Sequence, residues 1–544
     1  MSDSFFNTGL YKIFEPKYKD IVGKPFISVS AKGISNGLSN IPNDGADFGP
    51  DTMLNATSPN QTGPPYSQTI GILEAFNYAG NNGIGTVLLK SGTYNVQTWP
   101  TLTFSNITVK GEGIHATVIQ ISSTSTSQIT SGNQTNVTFE DLDMIFTNPN
   151  SSGGIAMGIG QNLHNFTFRN MYSKAPGFQV GWITSNVSLT DLTTSNVNTN
   201  FLFEDCIFDA SSPYTSSPNY MSVMGVDMKF IGCKFTTTTT TISNPIVSYG
   251  LSRFNLDGPH YFIGCTFDAS AVYLILEQGY SPIIIGNSFL NGAAIATSEN
   301  IDYPSNEAPN YGIRIIGNEF EGIATSSGGT QFITENNNDY GMIVVGNHFV
   351  NTSGLLYTNN VTYPIGIACF NALTNGIIED NVFENMGNPI MADSSFKASI
   401  KNNVFHITLS QTGTNAGIVF VNGGIGFIDF AGNVNDGYNN VFYNGFPSSS
   451  EGFLHDNPSI SFTPTTPTVP ASGTAQENTN PYATNVYLYG GTVTEIQITK
   501  NGTAYTVFSN ATGLALSGQV YKLNPNDSIT ITYTTAPTWE WLSD

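Results

Sequence analysis

Cleaving or rearranging a polymer needs paired acids, a strong base or a bound metal. Few residues of this 544-residue chain are spaced to supply any of these. Asp257, Glu277 and Glu307 fall on neighbouring copies of a repeat described below, with His260 close to the first of them. Two carboxylates on one face can share glycosidic cleavage, one protonating the leaving oxygen while the other activates water or attacks. These three are the candidate catalytic residues, although 39 acidic side chains spread over a surface produce such groupings by coincidence. Arg169, Arg253 and Arg314 are the only arginines available as the base of an elimination, and Arg169 and Arg314 lie inside repeat strands. The run Glu335–Asp339 could hold calcium through oxygen ligands but reads first as a polar turn. Cys206, Cys233, Cys265 and Cys369 match no zinc spacing, and no phosphate loop, dinucleotide fingerprint, nucleophile elbow or HExxH motif is present. The sequence therefore predicts neither a metal nor a cofactor.

The element that must carry these residues is a short recurring corner. It reads Ile284-Ile-Gly-Asn287-Ser-Phe289, Ile315-Ile-Gly-Asn318-Glu-Phe320, Val344-Val-Gly-Asn347-His-Phe349, Ile378-Glu-Asp-Asn381-Val-Phe383 and Ile400-Lys-Asn-Asn403-Val-Phe405, with a last weaker copy at Asn433. Upstream, cysteine takes the asparagine position at Cys206, Cys233 and Cys265, and looser copies reach back to Phe168 and Phe139. The mean step is about 29 residues. A unit this short cannot bury its apolar side alone, so coils must stack. Gly and Asn accept the left-handed backbone of a sharp corner, and an Asn amide can bond its counterparts above and below. Cysteine there is a small buried stacker. His348, between Asn347 and Phe349, is placed on the outward side, where a solvated imidazole is the default.

This corner resembles the asparagine ladder of the pectate-lyase-like right-handed parallel β-helix. The lead-in strengthens the likeness: Gly45-Ala-Asp47, a helix expected over 67–79 with Ser67 as cap and Gly80 as stop, then Gly85-Thr-Val…Gly92-Thr-Tyr94 and Lys110-Gly-Glu-Gly113. That order looks like the N-terminal module of tailspike-type proteins, in which the helix covers the open end of the coil stack. The resemblance implies an all-β chain with about 12 coils, a rod of roughly 60 Å at the usual strand spacing. The expected layout is a lead-in at 1–66, the β-helix at 67–455, a Pro/Thr-rich linker at 456–480 and an antiparallel β-sandwich at 481–544. The last segment, with Asn480-Pro-Tyr482, Gly490-Gly-Thr-Val-Thr-Glu-Ile496 and Trp539-Glu-Trp541, is similar to small modules of phage and archaeal-virus structural proteins. Trp539 and Trp541 could stack on sugar, or pack a last strand.

Members of this superfamily divide between glycan-cleaving enzymes and attachment spikes, so the fold does not choose. The polygalacturonase set of N-T-D, Asp-Asp, G-H-G and R-I-K is absent. Formal charge is −22 with 17 basic residues, which excludes a cationic nucleic-acid surface. No apolar run is long enough for a membrane-spanning helix. Charged residues make up only 10% of the chain; amides and hydroxyls take their place and keep their polarity in acid, so acid tolerance is expected. Asn106, Asn165 and Asn351 head N-x-S/T sequons, at a frequency the composition alone explains. Met1–Asn7 lacks the basic and apolar runs of a signal peptide. Together these features predict a virion spike, tail fibre or turret-like projection at the particle surface, meeting host glycans or a receptor and other virion proteins, and assembled as a trimer or higher homo-oligomer. The alternative is a polysaccharide hydrolase or lyase.

Overall fold

The computed structural model describes residues 26–32 and 45–543, apart from 151–153, 159, 161, 182–196, 212–218, 239–243, 250–258, 269–273, 278–280, 299–311, 323–330, 336–338, 353–364, 370–372, 394–395, 410–416, 423–425, 444–446, 449–451, 458–459 and 461–463. The chain divides into two compact units, Met1–Ala293 with Asn300–Ala308, and Ala294–Glu299 with Pro309–Asp544.

In the first unit, parallel strands stack coil upon coil in three strips. One runs from Ile27–Val29 through Thr86–Leu89 and Ile107–Lys110, then on through Thr199–Glu204 and Val226–Ile231 to Tyr261–Ile263 and Ile283–Ile285. The second includes Gly92–Val96, Thr117–Ile121, Ile207–Asp209, Lys234–Thr236, Thr266–Asp268 and Ser288–Leu290. Thr135–Phe146 and His164–Lys174 bend at the corner and serve both strips. The third holds Ile155–Met157, Phe178–Val180, Asn219–Met224, Asn244–Tyr249 and Leu274–Glu277. This is the right-handed parallel β-helix. Side chains alternate inward and outward along each strand. Because the register keeps like residues aligned, Phe139, Phe168, Phe203, Phe230 and Phe262 stack face to face, with centroids 4.7 to 5.4 Å apart.

Two boundaries differ from the expected ones. Among the described residues coil pairing begins at Ile27, inside the expected lead-in, and Asp47 anchors it by accepting from both the backbone N–H and the hydroxyl of Ser28, each at 3.0 Å. The helix spans Ile72–Asn81 rather than 67–79. Ile70 and Gly71 take left-handed backbone angles, φ 57° and 75°, so no helix can run through them. Ser67 instead accepts from the Gly71 N–H and donates to Glu74, closing a turn ahead of the helix. Gly80 lies within the helix because Phe104 fills the space a side chain would need. Ile72, Ala75, Phe76 and Ala79 face inward, and the helix packs on the first strands of the coil stack.

The second unit repeats the three strips. Ile343–Val345, Gly376–Glu379, Lys397–Lys401 and Phe427–Ala431 form one, followed by Gly452–His455. His348–Asn351, Val382–Glu384, Val404–His406 and Val434–Asp436 form the next. Phe320, Phe349, Phe383 and Phe405 make its inner stack. The unit ends in an antiparallel sheet folded as a small sandwich. Its central strand Thr484–Lys500 pairs from end to end, with four register shifts, with Thr503–Leu523, and on its other side first with Thr538–Ser543 and then with Ser528–Thr535. Val486, Leu488, Ile496, Ile531, Trp539 and Trp541 lie in its core.

The expected linker at 456–480 is largely part of this module. Ala475–Glu477 is a strand paired with Ser528–Thr535. The prolyl stretch before it is tied down by Trp539 Nε1–H donating to the Pro467 carbonyl at 2.7 Å and by the Tyr533 hydroxyl donating to the Pro470 carbonyl at 2.7 Å. Proline carbonyls accept although proline nitrogens cannot donate, which makes such a stretch a good receiver for aromatic N–H and O–H groups.

Candidate functional site

Asp257 and Glu307 lie outside the described residues. Glu277 ends the strand Leu274–Glu277, in register with Tyr249 of the neighbouring coil, and its side chain is likewise outside the description. His260 is described, and it is 1% exposed, with Nε2 2.8 Å from the Gly225 carbonyl. Burial lowers its pKa to about 4, so it is a neutral core imidazole. Arg169 is held by Glu140 and Glu204. His348 meets Glu384 at 3.3 Å. Among the described residues no group of three or more His, Cys, Asp or Glu is placed to hold a metal ion. The tryptophan pair is interior, at 8% and 2% exposure, and unavailable for stacking on sugar.

The corner positions form a continuous ladder in the second unit. Asn318 donates through both its backbone N–H and Nδ2 to Asn347 Oδ1 at 2.9 Å, and Asn347 repeats this to Asn381, Asn381 to Asn403, Asn403 to Asn433, and Asn433 to Asn457. Each Nδ2 from Asn347 onward also donates to a carbonyl of the preceding coil. In the first unit Asn287 accepts from the Cys265 N–H at 2.7 Å. The thiols of Cys206, Cys233 and Cys265 donate to the Phe168, Phe203 and Phe230 carbonyls, the bond an Asn Nδ2 makes elsewhere. Burial holds the Cys233 thiol well above its ordinary pKa, and it stays protonated.

Two outward features of the first unit offer recognition or chemistry. The first is an exposed second ladder. Asn136 donates to Asn106 at 2.8 Å, Asn165 to Asn136 at 3.1 Å and Asn200 to Asn165 at 2.7 Å, all with left-handed φ between 57° and 59°. Two residues on, Thr108, Thr138 and Thr167 stand in register with Thr86 as an outward row. The N-x-T sequons at Asn106, Asn136 and Asn165 are thus the imprint of two adjoining ladders. In the next row outward, Lys110 pairs with Glu140 and Asp141, and Arg169 with Glu140 and Glu204.

The second feature is an imidazole set on a buried carboxylate. Asp143, whose side chain is 1% exposed, accepts from the His115 backbone N–H at 3.0 Å and lies 2.7 Å from its Nδ1, while the imidazole itself is 70% exposed. In the neutral ring a carboxylate on Nδ1 selects the tautomer with the proton there, which turns the Nε2 lone pair outward. The ring meets the edge of Tyr172 at 5.3 Å; Tyr172 donates to Asp209 at 2.7 Å, and Lys174 lies 3.9 Å from the same carboxylate. His115, Asp143 and Tyr172 sit one coil apart, at steps of 28 and 29 residues. The repeat length therefore held the signal, but their types differ from coil to coil and a search for recurring residues passes over them.

No family model and no curated protein matches the chain. Solved structures do resemble it. One is the tailspike protein of E. coli bacteriophage HK620 in complex with a pentasaccharide, at 12% identity over 95% of this chain and 92% of that one, TM-score 0.43. The Streptococcus pneumoniae surface adhesin PfbA matches at 14% identity over 65% of this chain and 95% of its own, TM-score 0.41. The A-module of the Azotobacter vinelandii mannuronan C-5 epimerase AlgE6 matches at 12% over 72% and 94%, TM-score 0.34. These likenesses concern the fold and extend to no residue. The stacked parallel strands themselves make the fold a right-handed parallel β-helix.

Proposed function

We propose that this chain is a structural projection of a virus particle that contacts host-surface glycans as a homo-oligomer. The observation that carries the glycan reading is the paired ladder of Asn106, Asn136, Asn165 and Asn200 beside Thr86, Thr108, Thr138 and Thr167. It presents uncharged donors and acceptors at the inter-strand spacing of about 4.8 Å, over several coils, held in place before any ligand arrives. An extended polyhydroxylated chain can be bonded by such a row, residue after residue. A phosphate gains little from it, since the adjoining cations Lys110 and Arg169 are already held by Glu140, Asp141 and Glu204, and a basic peptide finds no carboxylate there that is without a cation. The virion role is supported by the C-terminal module's likeness to virus structural modules and by coil stacks braced by continuous amide and phenyl ladders.

The test is binding of the full-length protein to an array of host-type polysaccharides. Wild type binds a subset, Thr138→Lys weakens that binding at least about tenfold, and Thr266→Lys on another strip leaves it unchanged. Equal binding by all three proteins overturns the assignment of the face, and the absence of any glycan binding overturns the reading.

The exposed imidazole on Asp143 favours a second reading, in which the bound glycan undergoes an acid–base step. In a β-elimination on a uronate chain, Nε2 of His115 would take the proton α to the carboxylate, Asp143 would steady the resulting imidazolium, the C–H electron pair would form a new C=C as the glycosidic C–O bond breaks, and the proton would pass to the leaving oxygen. New chain ends formed by wild type and lost in His115→Ala would establish it.

A further inference from the structure

The antiparallel module has three strands at its edges among the described residues. Ala475–Glu477 is three residues long and carries Glu477, and Thr538–Ser543 carries Glu540. Natural edges are kept from pairing by shortness, charge or proline, and these two follow that rule. The third does not. Thr503–Leu523 is 21 residues long and pairs only with Thr484–Lys500. It has neither a charge nor a proline between Thr503 and Tyr521. Four apolar side chains stand out from it: Tyr505 at 54%, Val507 at 44%, Leu514 at 46% and Val520 at 47% exposure.

Such an edge needs a cover, and charge identifies it. The chain carries −22, so two copies repel one another over most of their surfaces. They meet at least cost where neither has an ionised group, and this strand is such a place. A basic partner would be drawn to the acidic surface and would gain nothing from an uncharged edge. A β-edge is also complementary to itself wherever its outward N–H and C=O groups alternate regularly, and the pairing is regular at both ends of this strand, over Thr503–Tyr505 and Gln519–Leu523. We propose that copies of this chain join at the Thr503–Leu523 edge, strand against strand, with Tyr505, Val507, Leu514 and Val520 covered in the contact. The contact deepens the homo-oligomer part of the proposed function and is independent of its glycan part, because it uses none of the residues of the asparagine–threonine face.

The test is the mass of the full-length protein in solution, by sedimentation velocity over a hundredfold range of concentration. Wild type sediments as a multiple of 58.4 kDa. Val507→Lys dissociates it to that mass, or raises the dissociation constant at least about tenfold. Val520→Lys does the same and replaces the first variant if Val507→Lys does not fold, as judged by its melting curve. Leu542→Lys makes the same change at the other, protected edge and leaves the mass unaltered. A wild type monomeric over the whole range overturns the proposal, as does an oligomer that persists in both folded edge variants. Glycan binding by the dissociated variants reports separately on the proposed function.

Discussion

A corner asparagine here is a fully used group. Asn381 Oδ1 accepts two bonds from Asn347, and Asn381 Nδ2 donates to the Val344 carbonyl and to Asn403. Asn381→Ala strands these buried partners, and an unfolding free energy lower by about 2–4 kcal/mol is expected in urea titration. The residue before each corner asparagine is left-handed whatever its type: Gly317 at φ 62°, Gly346 at 68°, Asp380 at 56° and Asn402 at 56°. A side chain at Gly317 meets open space, so only backbone strain counts. Gly317→Ala should cost about 1 kcal/mol, and Gly317→Asn a few tenths. His260 sets a pH dependence. Its folded pKa of about 4 lies below the unfolded 6.5, so the unfolded chain takes the proton first. Stability is full above pH 6.5, falls by about 3 kcal/mol as pH drops to 4, and is flat below. Denaturation midpoints at pH 7 and pH 4 should show this loss, and His260→Gln should reduce it. The amide-rich surface favours acid tolerance, and this one buried imidazole works against it.

At the scale of elements, space and backbone angle override propensity. Alanine is the better helix former, yet Gly80→Ala should destabilise by about 1–3 kcal/mol, because the added methyl is driven into Phe104; a lower melting temperature would show it. Ser67 was a sound cap candidate by type, but the helix starts at Ile72, since the left-handed Ile70 and Gly71 interpose a turn that composition does not reveal. The Pro/Thr stretch read as a linker because its own pattern is extended and unpaired. Its partners, Trp539 and Tyr533, lie more than 60 residues away and had no local signature. Trp539→Phe keeps the ring packing and removes the bond to Pro467, and a loss of about 1 kcal/mol is expected.

Across the whole molecule, legibility followed repetition. Stacked coils demand the same residue type at the same corner, so Asn318, Asn347, Asn381 and Asn403 announced the β-helix from the sequence. The exposed Asn106–Asn200 ladder left its trace as sequons, a pattern that composition could also explain, and only the register separates the two causes. The His115–Asp143 pair was invisible because its residue types occur at one coil only and do not repeat. The central claim is that the asparagine–threonine face holds a glycan and leaves it intact. The most direct measurement is the chain length of a bound polysaccharide before and after prolonged incubation with the full-length protein. The account predicts polymer retained on wild type, released from Thr138→Lys and unchanged in length. Shortened chains, formed by wild type and not by His115→Ala, would contradict it.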